Sequence, residues 1–238
     1  MGTNLFFRAR LGRMGAGALS AVAVLALGAC SGLLDVQFPG RIPSEQIDNP
    51  DLAPVLARSV IGDLECAYNN YAAGSAAQSD EYETSNSNIP LALWGLRSIS
   101  ADEDSYAIGG CDTFGGMNLT LNTARFQSED IFKRLSKWTD AQVSGRTSLL
   151  AQVRAYGGYA YTFLGETFCQ VAFDGGPAQD PSAALTIAEQ RFTEAITLAQ
   201  TAGNTDILNL AQVGLARVRL DLKKYPEAAT ADQPVPVG

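Results

Sequence analysis

The chain has 238 residues, a formal net charge of −8 at neutral pH and no histidine. An acidic chain lacks the clustered Lys and Arg that phosphate backbones require, which excludes nucleic acid as a partner. Without histidine, Ser-His-Asp and Cys-His catalysis and histidine-ligated zinc or iron are also excluded, so neither an enzyme nor a cofactor is expected.

Residues 1–29 open with Arg8, Arg10 and Arg13 and no acid, and continue in an apolar run from Met14 to Ala29. Basic, apolar and small-residue regions in that order make a secretory signal. Glycines and Ser20 interrupt the run, which is shorter than the ~20 apolar residues a membrane span needs. The run closes in Leu27-Gly28-Ala29-Cys30, which resembles the lipobox of a bacterial lipoprotein. Small residues admit the peptidase, and the Cys30 thiol takes the lipid. The expectation is removal of residues 1–29, acylation of Cys30 with palmitate-type chains, and outer-membrane anchoring, since Ser31 rather than Asp follows the cysteine. Losing three arginines takes the net charge to about −11, so attachment must come from the lipid rather than from charge.

Residues 30–50 are punctuated by Pro and Gly and read as a tether and first segment, with at most minor strand near 33–42. The remaining 51–238 read as one helical domain. Pro54 to Tyr71 has helical periodicity, with Leu56, Val60, Leu64 and Ala67 on its apolar face. The segment 74–119 is the least regular. It carries two acidic knots, Asp80-Glu81-Tyr82-Glu83 and Asp102-Glu103-Asp104, and a loop this long is uncommon unless it is functional.

Helical periodicity returns over Thr120 to Trp138 and again over Leu149 to Phe168, which is dense in Tyr, Ala and Gly. Asp180 and Pro181 are suited to the N-cap and first position of the next helix. Its Leu185, Ala188, Phe192, Ala195, Ile196 and Ala199 share one face, and Gly203 ends it. Ile207 to Leu222 is apolar almost all round and is expected to be buried on several sides. Glu227-Ala228-Ala229 begins one more helix. Gly157, Gly158 and Gly214 fall where neighbouring helices are expected to approach closely; two glycines inside a helix cost ~2 kcal/mol together relative to Ala.

Cys30 apart, the cysteines are Cys66, Cys111 and Cys169, an odd number that leaves one thiol over. Disulfides are permitted outside the cytoplasm. Cys111, in a Gly-rich stretch, is expected to pair with Cys169 or Cys66, with Cys169 favoured because it too enters a loop.

Helix, tight turn and helix with small residues at the crossings follow the logic of a tetratricopeptide array, and residues 211–228 resemble such a repeat. At this level the chain resembles the SusD/RagB family of nutrient-uptake lipoproteins. The likeness lies in Cys30-Ser31-Gly32-Leu33-Leu34-Asp35-Val36 with Pro39, in Ala155 through Gly176, and in the Ala-rich pair at 185–228. It implies an all-α fold of tetratricopeptide-like hairpins with a long irregular insertion, SusD-like and incomplete. Members are about twice as long, so the chain reads as an N-terminal part whose last helices expose a face.

The resemblance further implies a cell-surface protein that captures a nutrient, an oligosaccharide above all, as lid and partner of a TonB-dependent, SusC-like transporter barrel. Its ligand residues do not transfer by motif. Sugar capture needs exposed aromatic faces with polar groups for the hydroxyls, and Tyr82, Trp94 and Tyr106 are the candidates in the irregular segment. Trp94, flanked by Leu91, Leu93 and Leu96, fits a core anchor better. An adaptor lipoprotein that holds another envelope protein is the alternative. Asp80, Glu83, Asp102 and Asp104 offer carboxylates for glycoside hydrolysis, but solvation is the default for such runs. The knots also lack the spaced ligands and Gly of a calcium loop.

Overall fold

A computed structural model describes residues 43, 46–85, 87, 89–100, 109–111, 116–231 and 235–236, the Pro90 side chain excepted. The signal, the lipobox with Cys30, most of the 30–50 tether, Tyr106, Asp102 and Asp104 lie outside the described residues. The chain divides into two units, 1–47 and 48–238, and the second holds the helices below. Among the described residues the fold is all-α. Its only β pairing is an isolated antiparallel bridge between Val171 and Gln179.

A 3-10 turn at Pro50–Leu52 leads in, with the Asn49 side chain accepting from the Asp51 N–H at 3.1 Å. Helix α1 (Ala53–Gln78) buries Leu56, Val60, Leu64 and Ala67, the expected stripe. It continues through 74–78, which the sequence reading had placed in the irregular segment. The Ala-rich end favours helix, and Gly74 lets the Trp94 ring lie on its backbone. Trp94 belongs to a short helix α2 (Ile89–Gly95) inside the same segment.

Helix α3 (Met117–Lys137) begins three residues before the expected start and places Arg134 and Lys137 at its C-terminal turn, where the macrodipole favours cations. Helix α4 (Arg146–Thr167) follows Gly145, whose φ of +67° suits glycine. Helix α5 (Pro181–Ala202) has Asp180 at the N-cap position, though its side chain makes no capping hydrogen bond. Gly203 at φ +66° ends α5, its N–H donating to the Ala199 and Gln200 carbonyls. Helix α6 (Thr205–Asp221) is capped by Asn204, which accepts from the Ile207 N–H at 3.1 Å. Helix α7 (Tyr225–Ala231) is short. Among the described residues no helix is long and apolar enough to cross a membrane.

Helix α4 is the centre of the packing, touching α1, α3, α5 and α6. The 207–222 helix also packs on several neighbours, α4, α5 and α7, as expected, but it is not covered all round. In α6, Ala211, Leu215 and Val218 are buried while Val213 and Leu220 are about half exposed. The glycines of α4 work by absence. A Cβ at Gly157 would meet Ser128 Oγ at 2.6 Å, and one at Gly158 would meet the Phe192 ring at 2.7 Å. Gly214 of α6 faces the same ring, so fully buried Phe192 of α5 is wedged between two helix backbones.

Charges cross this core as well. Arg154 of α4 donates to Glu129 of α3 at 2.8 Å and pairs with Glu194 of α5 at 2.6 Å. Arg191 donates to the other Glu129 oxygen at 2.6 Å. Burial opposes ionisation of Glu129, but hydrogen bonds from Arg191 and Arg154 outweigh it and hold its pKa below the ordinary range.

Candidate functional site

The feature best built to receive a ligand is an open groove of about 250 Å³ between α1 and α6, floored by α4. Helical spacing makes it. Leu64 and Glu65 lie one turn before Tyr68 on α1; Tyr156, Tyr159 and Phe163 follow an i, i+3, i+7 stripe on α4; Leu210 of α6 closes the far side. The rings form a continuous stack. Phe163 packs parallel on Tyr71 at 4.5 Å, tilted against Tyr68 at 5.5 Å and against Tyr159 at 6.0 Å. Tyr159 meets Phe192 edge-on at 4.9 Å, so the groove wall is anchored in the core. Tyr159 donates its hydroxyl to the Leu210 carbonyl at 3.0 Å, which fixes its ring. Burial, opposed in part by the charge of Arg217, pushes the Tyr159 pKa to about 12, so the phenol stays neutral. Tyr68 is half exposed and presents its ring to solvent.

Behind Phe163 lies a polar cluster joining the same three helices. Glu166 of α4 accepts from Arg217 Nε and Nη2 of α6, each at 2.7 Å, and from the Tyr71 hydroxyl of α1 at 2.6 Å. The Arg217 guanidinium also lies 5.2 Å from the Phe163 ring centre. Asp221 of α6 stands beside Glu166. Burial first, then the hydrogen bond and charge of Glu166, raise its pKa to about 6 against the opposing pull of Arg217. The site thus combines aromatic faces with carboxylates and one guanidinium.

Of the three aromatic candidates from the sequence, Tyr82 and Trp94 lie outside this groove and Tyr106 is outside the described residues. Trp94 is buried at 1 % exposure and is a core residue; its assignment as a ligand platform is corrected, because the Gly74 backbone leaves room for the ring to fold inward. Tyr82 is exposed and lines a separate, wider depression with Ala77, Glu83, Thr84 and Leu96, whose edge carries the Asp80–Arg97 ion pair. A single ring in an open depression is a weaker platform than four adjoining rings. Among the described residues no group of three metal-ligating side chains comes together. Cys111 is bonded to Cys66, and Cys169 is a free, exposed thiol, which corrects the preference for Cys169 as the partner. Cys66 lies on α1 beside Asn70, whose amide donates to the Gly110 carbonyl at 3.1 Å; that bond holds the 109–111 strand of chain over α1.

Reasoning from sequence missed Glu65, Tyr68, Tyr156, Tyr159, Phe163 and the Glu166–Arg217–Asp221 cluster. The signal was present, since Leu64, Tyr68 and Tyr71 on one helix and Tyr156, Tyr159 and Phe163 on another repeat at helical spacing. No family model, curated protein or solved structure matches the chain.

Proposed function

We propose that this protein is a surface lipoprotein that captures a nutrient, an oligosaccharide, and works as lid of a TonB-dependent, SusC-like transporter barrel. It is anchored to the outer membrane through Cys30, and it binds rather than cleaves. The observation that carries the reading is the groove between α1 and α6, where Tyr68, Tyr156 and Tyr159 stand over the buried Phe163 ring, because sugar faces stack on exposed aromatic rings. The order of Arg8 to Arg13, the apolar run and the Leu27–Cys30 lipobox supports export and lipidation. Lipid attachment confines lid and barrel to one surface, so a modest direct affinity is enough. The hairpin-like succession α5–α6–α7 fits a tetratricopeptide-like body.

Three measurements test it. Tagged fatty acid is expected to label wild type and not Cys30→Ala. A mild-detergent pull-down from native membranes is expected to recover a transporter barrel. Binding to a panel of neutral and charged oligosaccharides is expected for wild type and lost in Tyr68→Ala, which removes the exposed ring without opening the core.

The second reading is an adaptor lipoprotein, and one observation favours it. Val213 and Leu220 of α6 and Tyr225 of α7 are exposed apolar residues on neighbouring elements, a surface suited to another protein. Recovery of an assembly factor with no glycan affinity decides for the adaptor.

A further inference from the structure

The groove's lining selects a narrower ligand class than oligosaccharides at large. Its polar groups are few: the Glu65 carboxylate and the three tyrosine hydroxyls, one of them already committed to the Leu210 carbonyl. Among the described residues no Asn, Gln, Arg or Lys lines it, so its wall offers few of the side-chain amides and cations that commonly share out neutral sugar hydroxyls. What the lining offers instead is π-electron density. Tyr68, Tyr156 and Tyr159 line the groove above the buried Phe163 ring, and a cation over a tyrosine face is attracted to it, more so as it is desolvated. The charge balance agrees. The Arg217 guanidinium lies at the Phe163 ring with Glu166 bound to it through two nitrogens. Among the described residues Glu65 stands at the groove wall with no side-chain ion pair. The surroundings are therefore net acidic, in an acidic chain. Glu65 also acts on its neighbour: burial chiefly, and the charge of Glu65 in addition, raise the Tyr156 pKa, so the phenol stays neutral and its ring face stays available.

We propose that this groove binds a ligand bearing a protonated amine, presented on a sugar ring: an amino-sugar glycan whose ammonium pairs with Glu65 while its ring faces stack on Tyr68 and Tyr156. The proposal rests on the capture reading above and narrows it to a substrate class.

The test is a matched pair of probes, the β-1,4-linked glucosamine tetramer and its fully N-acetylated form, which share a backbone and differ in amine against acetamide. Binding to the full chain, purified in detergent, is measured calorimetrically in mildly acidic buffer where the amines are protonated. The expected result is about tenfold tighter binding of the free-amine tetramer. Tetramethylammonium should compete with it beyond the effect of equal ionic strength. Glu65→Gln should abolish most of the preference, and Glu227→Gln, on exposed α7, should leave it intact. Equal or tighter binding of the acetylated tetramer overturns the amine assignment. So does a preference that survives Glu65→Gln, or one that falls equally with Glu227→Gln, which marks bulk attraction between polycation and acidic protein. In each of those cases binding that is still lost in Tyr68→Ala keeps the capture reading standing. If neither tetramer binds, the amine assignment falls, and the wider panel decides the capture reading on its own.

Discussion

The Phe192 ring lies against the Gly214 backbone so closely that a methyl group at Gly214 has no room, and the same Cδ1–Cε1–Cζ edge of the ring does the same to Gly158. Gly214→Ala gains ~1 kcal/mol of helix propensity but overpacks the site at a cost of ~1–3 kcal/mol. The net expectation is destabilisation by up to about 2 kcal/mol in denaturant unfolding. Phe192→Ala is expected to cost ~3–5 kcal/mol. Phe192→Leu should relieve Gly214→Ala, so the double variant is better than the sum of the two by at least ~0.5 kcal/mol. Strict additivity would show that the ring and the glycine are not coupled.

The Glu129 network predicts acid sensitivity. The folded-state pKa of Glu129 lies below its ordinary value, so its contribution is complete above about pH 4.3 and is lost as pH falls through the depressed value. Glu129→Gln leaves Arg154 and Arg191 with a weaker partner. It should destabilise by about 2–4 kcal/mol at neutral pH. Unfolding curves of wild type and variant should converge in strong acid; a constant gap at all pH values would contradict the ion-pair account.

Asp221 works in the opposite sense. Its pKa is raised to about 6, so the folded state holds its proton longer than the unfolded chain. Stability from this group is present below the unfolded value of about 3.9 and declines as pH rises toward 6. Asp221→Asn is therefore expected to stabilise by on the order of 1 kcal/mol above pH 6, a figure discounted for partial exposure. It should be close to neutral in acid. The pH dependence of melting temperature for the two proteins checks it.

The Cys66–Cys111 bond spans 45 residues. Replacing both cysteines by serine is expected to cost ~2–4 kcal/mol. Non-reducing digests should contain the linked peptides. A thiol reagent should label Cys169 without prior reduction, because that thiol is free and exposed.

How far the sequence could be read depended on which interactions are local. Helix periodicity, the Pro181 start and the Gly203 stop are decided within a few residues, and the long helices α1, α3, α4, α5 and α6 were legible. The exposure of Val213 and Leu220 was not, because an apolar helix does not say how many neighbours it has. The groove was hidden for the same reason. Tyr68 and Tyr159 are 91 positions apart, and only the packing of α1 and α6 on α4 makes them walls of one space. Trp94 shows the converse, since the space for its ring was made by Gly74, twenty residues earlier and not suspected of a role.

Helix α4 sits in the middle of the chain and supports long helices made both before and after it. The unit 48–238 consequently has no seam of its own. A break in the 138–145 turn would leave one piece with α1 and α3 missing their common support, and another with α4 stripped of half its neighbours. Neither piece should be stable alone, yet the two should recombine when mixed, because the missing surface of each is the other. Transplanting α5 to α7 onto a different protein would for the same reason require α4 to travel with them.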